Sequence, residues 1–316
     1  MTMKNLTIRF VLLLSFLVFT NITSAEMNSK IPMPKVVKIN DHVYALLGPT
    51  ELPNKSNRGY MVNSTVIIGE KGVILIDTGF TDEIGRHIKK TIAGITDKPV
   101  THIINTHNHG DHTLGNSEFK GAEIISSEKC KTAIETNGYE WIGIAESSTG
   151  LKFPNTKPVL PTKTYAEGKH PNITIQGVKF EFWVPQGSHT PTDMMVHIPK
   201  YKVLIAGDIL VRSIMPSFRD GHVKTWISTL KQIIDMKFAK IIPGHGDLMT
   251  TAEVKDFHSD MLKLYEAVEV GYKKGLMDSE IRKTLDLSKW KKRKHFDQQM
   301  GGNINRTYLE VEEANF

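Results

Sequence analysis

Residues 107–112 read His107-Asn108-His109-Gly110-Asp111-His112. Three imidazoles and one carboxylate within six positions are a density that metal coordination accounts for, and chance clustering on a surface loop does not. Neutral imidazole nitrogen and carboxylate oxygen are the donors that a zinc ion takes where no thiolate is offered. Iron and manganese accept the same donors, so the residue types do not choose among the three metals. The chain has one cysteine, Cys130, which excludes an internal disulfide and a thiolate-rich site. Cys130 itself reads as a buried structural thiol near the start of a helix. In a loop, His107 and His109 can face one way while Asp111 and His112 turn toward a neighbouring position. That spacing suits two adjacent ions better than one. Gly110 is expected to let the backbone turn tightly between them.

Three more places repeat the pattern of a ligand-type residue beside a glycine where an apolar run ends. His189 follows Gly187-Ser188, Asp208 follows Ala206-Gly207, and His245 sits in Pro243-Gly244-His245-Gly246. Asp77 opens an Asp77-Thr78-Gly79 turn after Val73-Ile74-Leu75-Ile76. One such histidine alone would read as structural. Four strand ends of this kind in one chain point to loops that carry function on a rigid scaffold.

The elements that must position these residues follow from the patterning. Strands are expected over residues 36–47, 60–69 and 73–76, the last two joined by a Glu70-Lys71-Gly72 hairpin turn. A helix is expected over 82–93 with Thr81 as its cap, then a buried strand over 100–105. The second half repeats this: strand 122–126, helix 128–144, strands 164–165, 173–175, 178–184, 194–198 and 203–206, helix 226–236 and strand 239–242. From residue 252 the chain reads as mostly helical, with a break at Gly275. Two β-rich halves, each with helices, imply an α/β chain of two packed sheets with helices outside.

At the N-terminus, Lys4 and Arg9 precede an apolar stretch over residues 10–20, and Thr23-Ser24-Ala25 offers small residues at a cleavage site. Residues 1–25 therefore read as a signal peptide cut after Ala25, which would place the product in the periplasm or outside the cell. The apolar run is too short to span a bilayer, which takes about 20 residues. Residues 26–316 then form the single folded domain, with 251–316 as a helical tail packed on it. The 316 residues carry a net charge of +6, from 40 basic and 34 acidic groups spread along the chain. So mild a balance calls for neither nucleic acid nor, once the signal is removed, a membrane; a small-molecule substrate is the expected partner. The densest basic run, residues 289–295, reads as a solvated helix face.

Taken together, His-x-His-x-Asp-His at 107–112, Ser-His-Thr at 188–190, Gly-Asp at 207–208, Pro-Gly-His-Gly at 243–246 and Ile-Leu-Ile-Asp-Thr-Gly at 74–79 resemble the metallo-β-lactamase superfamily. The resemblance runs from about Val36 to the end of the chain. It implies an αββα four-layer sandwich. It also implies that His107, His109 and His189 hold one metal ion, that Asp111, His112 and His245 hold a second, and that Asp208 bridges them. Asp77 resembles the structural aspartate that orients the metal loop. Asp111 would be the catalytic residue, steering a hydroxide generated between two zinc ions and shuttling a proton to the leaving group.

The resemblance leaves the bond open. β-Lactamases of the family usually lack a bridging aspartate, whereas hydrolases of thioesters, lactones, phosphodiesters and other esters keep it. Ester, lactone or amide cleavage is expected, with β-lactams possible as side substrates. Phosphodiester or sulfate-ester cleavage, β-lactam cleavage proper and non-catalytic metal binding are the alternatives. Asn303-Ile304-Asn305-Arg306-Thr307-Tyr308-Leu309-Glu310 resembles the exported quinoprotein-relay branch.

Pocket walls are less defined. Residues 49–59 read as a flap or a connection, 214–218 as an apolar lining, and Trp226 as core. Tyr60, Tyr139 and Trp141 are even choices between substrate contact and packing. His42, His87, His102, His170, His197, His222, His258 and His295 have no motif support and read as surface or structural.

Overall fold

The computed structural model describes residues 31–315, so the expected signal peptide and its cleavage after Ala25 lie outside the described residues. Strand-forming, β-branched segments dominate the first half. They give β1 (Lys35–Lys38), β2 (Val43–Leu47), β3 (Ser64–Ile68), β4 (Val73–Ile76), β5 (Val100–Ile104), β6 (Glu123–Ser127) and β7 (Lys163–Tyr165). These pair in sequence order into a seven-stranded sheet, antiparallel up to β4 and parallel from β4 to β7. A second sheet takes β8 (Asn172–Ile175), β9 (Val178–Trp183), β10 (Met195–Ile198), β11 (Val203–Val211) and β12 (Lys240–His245), in the order β12-β11-β10-β9-β8.

Alternation along the strands fixes which face each sheet buries. Ile74 and Ile76 of β4 point into the space between the sheets, where they meet Phe180, Phe182, Val196 and Ile205. Val73 and Leu75 point outward against Ile84, Ile88 and Ile92 of the helix α1 (Asp82–Ala93). In the second sheet Val203 and Ile205 face inward. Leu204 faces outward into a cluster with Trp226, Leu230 and Ile233 of α4 (Val223–Met236) and Phe257 and Met261 of α5 (Thr251–Lys273). Helix, sheet, sheet and helix thus stack in four layers, the αββα sandwich that the motifs imply.

Asn63 joins the two sheets at one end. Its amide nitrogen donates to the carbonyls of Pro243 (2.9 Å) and Gly246 (2.7 Å), and its backbone N–H to Gly244 (2.8 Å). The tail folds as α5, α6 (Asp278–Thr284) and α7 (Phe296–Glu313), with the expected break at Gly275, where φ is +75°.

Several boundaries differ from the sequence reading. The run 36–47 is a hairpin, because the Asn40 side chain accepts from the N–H groups of His42 and Val43 and reverses the chain. The helix after Ser127, α3 (Glu128–Thr149), runs beyond residue 144 to a left-handed cap at Gly150. The basic run 289–295 is a solvated helix face only in part: Trp290–Lys292 form one helical turn with Lys291 and Lys292 exposed. Trp290 is buried, and Arg293 stacks over Phe257 and Trp290 at 5.1 and 5.3 Å. Lys294 pairs with Glu51 at 2.8 Å. Residues 49–59 are a pinned connection, held there by Lys294 and at Arg58 by a two-pronged pair with Glu83.

Candidate metal centre

The loop leaving β5 carries His107 and His109 and then closes into a single helical turn, α2 (Gly110–Thr113). Its shape is fixed from below. Thr78 N–H donates to the His112 carbonyl (2.9 Å), and Asn105 and Asn116 exchange side-chain hydrogen bonds beneath it. The chain turns tightly at Gly110 as expected, with His112 N–H donating to the His109 carbonyl at 3.1 Å, but without a left-handed backbone. The role of Gly110 is room: a Cβ there would stand 2.6 Å from Trp141 Cβ and 2.9 Å from the Phe80 ring. From the second sheet, the turn after β9 brings His189, β11 brings Asp208 and β12 ends in His245. Asp193 accepts from the Thr190 N–H and hydroxyl, and Thr192 exchanges hydrogen bonds with Asn108. That turn is thereby locked to the histidine loop.

The fold brings all seven sequence-selected residues together. One group is His107, His109, His189 and Asp208; the other is Asp111, His112 and His245. Within each group the donor atoms lie within 4.8 Å of one another. Asp208 touches both. Its carboxylate is 3.3 Å from Nε2 of His112, 3.3 Å from Nε2 of His245 and 3.6 Å from Nε2 of His189.

The outer nitrogens decide which ring nitrogen faces the centre. His112 Nδ1 lies 2.8 Å from Asp77 Oδ2, His245 Nδ1 2.9 Å from the Met61 carbonyl, and His189 Nδ1 3.2 Å from the Ser217 carbonyl. All three partners only accept, so each Nδ1 carries the proton and each Nε2 presents a lone pair inward. The Thr106 hydroxyl donates to Asp77, so it accepts from His107 Nδ1 at 3.1 Å, again freeing Nε2. His109 is turned over: its Nε2 meets Asp220 at 3.0 Å, and Nδ1 faces inward.

The electrostatics are those of a site made for cations. His107 is pushed well below the usual imidazole range by burial and by its neighbours His112 and His109, and burial pushes His189 down to about 3. Burial acts the same way on His245 and His112, but the carboxylates around them outweigh it. His245 is raised to about 10 and His112 well above its ordinary value. Against their own burial, the same imidazoles hold Asp111 down to about 2 and Asp208 well below the carboxylate range.

The donor set also fits divalent ions atom by atom. Nε2 of His107, Nε2 of His112 and Oδ1 of Asp208 are sealed from solvent with no hydrogen-bond partner. The 3.3 Å approach of the last two lacks hydrogen-bond alignment. Unpaired groups of this kind cost about 1–3 kcal/mol each, and ions held by the two groups, one facing His107 and the other His112, would satisfy all three.

Asp220, Met61 and Ser217 were missed in the sequence. Asp220 also accepts from Arg219 at 2.9 and 3.1 Å, and Arg219 stacks over Trp141 at 5.5 Å. Trp141 in turn lies 4.7 Å from the His109 ring, which makes it a wall of the centre. Tyr60 is core, and Tyr139 is exposed. Met215 and Phe218 are buried in the helix-side core, so 214–218 is no pocket lining. Trp226 is core as expected, and its ring backs His189 at 5.4 Å. The Ser188 hydroxyl is buried and donates to Thr229, away from any nucleophilic role. The unsupported histidines stay outside the two groups.

A family model described as the metallo-beta-lactamase superfamily matches residues 57–245. The chain belongs to the metallo-β-lactamase superfamily. It is a superfamily hydrolase whose His and Asp clusters are candidate metal sites. It is 27% identical over 208 residues to the metallo-beta-lactamase type 2 of Bacillus cereus, covering 63% of this chain and 72% of that one. It is 25% identical over 228 residues to the linear primary-alkylsulfatase of Pseudomonas sp. (strain ATCC 19151), covering 60% of this chain and 42% of that one. Among solved structures, the metallo-beta-lactamase from Pontibacter korlensis superposes with a TM-score of 0.58 at 20% identity, over 72% of this chain and 99% of that one. This last likeness is one of fold. The matched segment stops at His245, just before α5 begins at Thr251.

Proposed function

We propose that this member of the superfamily is an exported hydrolase of small molecules that uses two zinc ions to cleave an ester, lactone or amide, with β-lactams as side substrates. The observation that carries the reading is the Asp208 carboxylate, which reaches donors of both groups and so would bridge two ions. An aspartate at this place, in a chain whose only cysteine is buried on α3, also sets it apart from a dedicated β-lactamase.

His107, His109 and His189 would hold one ion and Asp111, His112 and His245 the other. Bound there, the pair supplies a water acidic enough to ionise near neutral pH and Lewis acidity toward the substrate's carbonyl oxygen. Asp111 is the residue placed to handle protons. One oxygen lies 3.2 Å from His245 Nε2, and the other is engaged by no described side chain. It orients the attacking water, takes its proton and passes it to the leaving group. Trp141 closes the side next to His109 and excludes water there.

Metal analysis of the purified protein, joined to a hydrolysis screen, tests this reading. The panel is nitrocefin, a lactone, a p-nitrophenyl ester, a thioester and bis-p-nitrophenyl phosphate, before and after chelation and zinc return. About two zinc ions per chain and turnover of an ester, lactone or amide that chelation abolishes are expected. A metal-loaded protein that cuts nothing, or an Asp111→Asn protein as active as the parent, overturns it; iron or manganese in place of zinc corrects the metal. One observation favours a second reading, cleavage of phosphate or sulfate esters. The Arg219 guanidinium stands beside His109 through Asp220 and Trp141, where it could meet an anionic group. Turnover of the phosphodiester alone would select it.

A further inference from the structure

The loop between β11 and α4 supplies both outer partners of the His109–His189 pair: the Ser217 carbonyl to His189 and the Asp220 carboxylate to His109. Within the loop, Gly221 N–H donates to the Phe218 carbonyl at 2.9 Å and Arg219 pairs with the Asp220 carboxylate. Much of what ties the loop to the rest of the molecule comes from α7, beyond the segment that the family model matches. The buried Asn303 side chain accepts from the Phe218 N–H (2.9 Å) and donates to the Pro216 carbonyl (2.9 Å), bracketing Ser217 on both sides. Arg306 Nε donates to the Gly221 carbonyl at 3.0 Å, one residue past Asp220. Glu310 then receives the N–H groups of Val223 and Lys224 at 2.6 and 2.9 Å, anchoring the far end of the loop at the start of α4. The loop is also pressed on the ligand turn itself. His222 N–H donates to the Ser188 carbonyl at 2.9 Å, and a Cβ at Gly221 would stand 2.9 Å from that oxygen.

We infer that Asn303, Arg306 and Glu310 are positioning residues for one half of the metal centre: through the 216–224 loop, α7 aims His109 and His189 but leaves the His112–His245 half alone. The other half has its own outer partners, Asp77 and the Met61 carbonyl, which α7 does not contact through these three side chains. The inference rests on the two-ion reading above. It predicts a separation that mere stabilisation by a tail helix would not produce.

The test is metal affinity of the full-length protein, read ion by ion in competition with a chromogenic chelator, and the visible spectrum of the cobalt-substituted protein. Glu310→Leu is the main variant, because Glu310 is only partly buried and the protein should fold without it. Asn303→Leu is the second, and Glu310→Gln is the conservative variant. In Glu310→Leu one of the two ions is expected to bind about 10-fold more weakly, the other unchanged, with half of the cobalt spectrum altered. Glu310→Gln, which keeps one acceptor oxygen for the two N–H groups, is expected to recover part of the affinity. Two unchanged affinities, or two that fall in parallel, overturn the inference. If the parent itself binds fewer than two ions, the two-ion reading fails instead, so the two failures are distinct.

Discussion

The carboxylate of Asp77 accepts the Nδ1 proton of His112 at 2.8 Å, and both side chains are closed to solvent. Asp77 also receives the Thr106 N–H and hydroxyl, so one carboxylate fixes a ligand and the loop that carries its neighbour His107. It does this from a left-handed backbone, φ +57°, at the end of β4. Asn is the informative replacement, since it tolerates that conformation. Its amide can present an N–H to His112 Nδ1, which would move the ring proton to Nε2 and take the lone pair away from the centre. Asp77→Asn is therefore expected to weaken binding of one added metal ion by about 10–100-fold with the fold intact. Chelator competition together with circular dichroism checks it; full affinity in the variant would mean that the tautomer is set elsewhere.

The metal-free protein should be most stable near pH 6.5. His107 and His189 are held neutral in the fold, so the unfolded chain binds more protons and stability falls as pH drops from 6.5 toward about 3. His112 and His245 are held protonated, with His245 at about 10. Their stabilisation is complete below 6.5 and is lost as pH rises through the folded value. Urea midpoints of the chelated protein across this range test the peak. Zinc needs these rings neutral, so zinc addition at pH 7 should release protons into a weakly buffered indicator solution.

Gly244→Ala should damage the centre directly. A Cβ at this position would overlap Oδ1 of Asp208, the atom that faces His112. Asp208 must swing away or β12 must shift. Loss of at least one ion per chain by elemental analysis is the expected outcome. Retention of both ions and of activity would show that Asp208 is not held where the bridge requires.

Cys130 should be silent in the native protein. Burial pushes its thiol up to about 12, and its side chain is fully enclosed at the first turn of α3. A thiol-reactive chromogen at pH 8 should find less than a tenth of a group per chain before denaturation and one group after it. Rapid native labelling would argue that α3 opens.

The inner residues of the centre were legible because each lies in a short motif at a strand end, where the chain must leave a buried sheet beside a glycine. His107, His109, Asp111, His112, His189, Asp208 and His245 meet for that reason. Their outer partners were not legible, for two different reasons. Met61 and Ser217 act through backbone carbonyls, to which side-chain identity is irrelevant. Asp220 does have a signal, a carboxylate followed by glycine after an apolar strand, but nothing local ties it to a histidine 111 positions earlier. The sandwich was legible from alternating strands and apolar runs, and its edges less so. The β1–β2 turn rests on one Asn side chain inside a strand-like run, and β11 continues to Val211 because Gly207-Asp208, which reads as a strand end, is followed by the apolar Ile209-Leu210-Val211.

The first sheet's loop contributes His107 through His112, and the second sheet contributes His189, Asp208 and His245, so neither donor group is complete within one half of the chain. As the chain is synthesised, His245 follows His112 by more than a hundred positions. The first donor group is complete only when Asp208 on β11 is in place, and the second only when His245 at the end of β12 is. Metallation is thus a late event in the life of the molecule. Any ion that these groups hold must then be taken up where folding finishes, and not where synthesis starts.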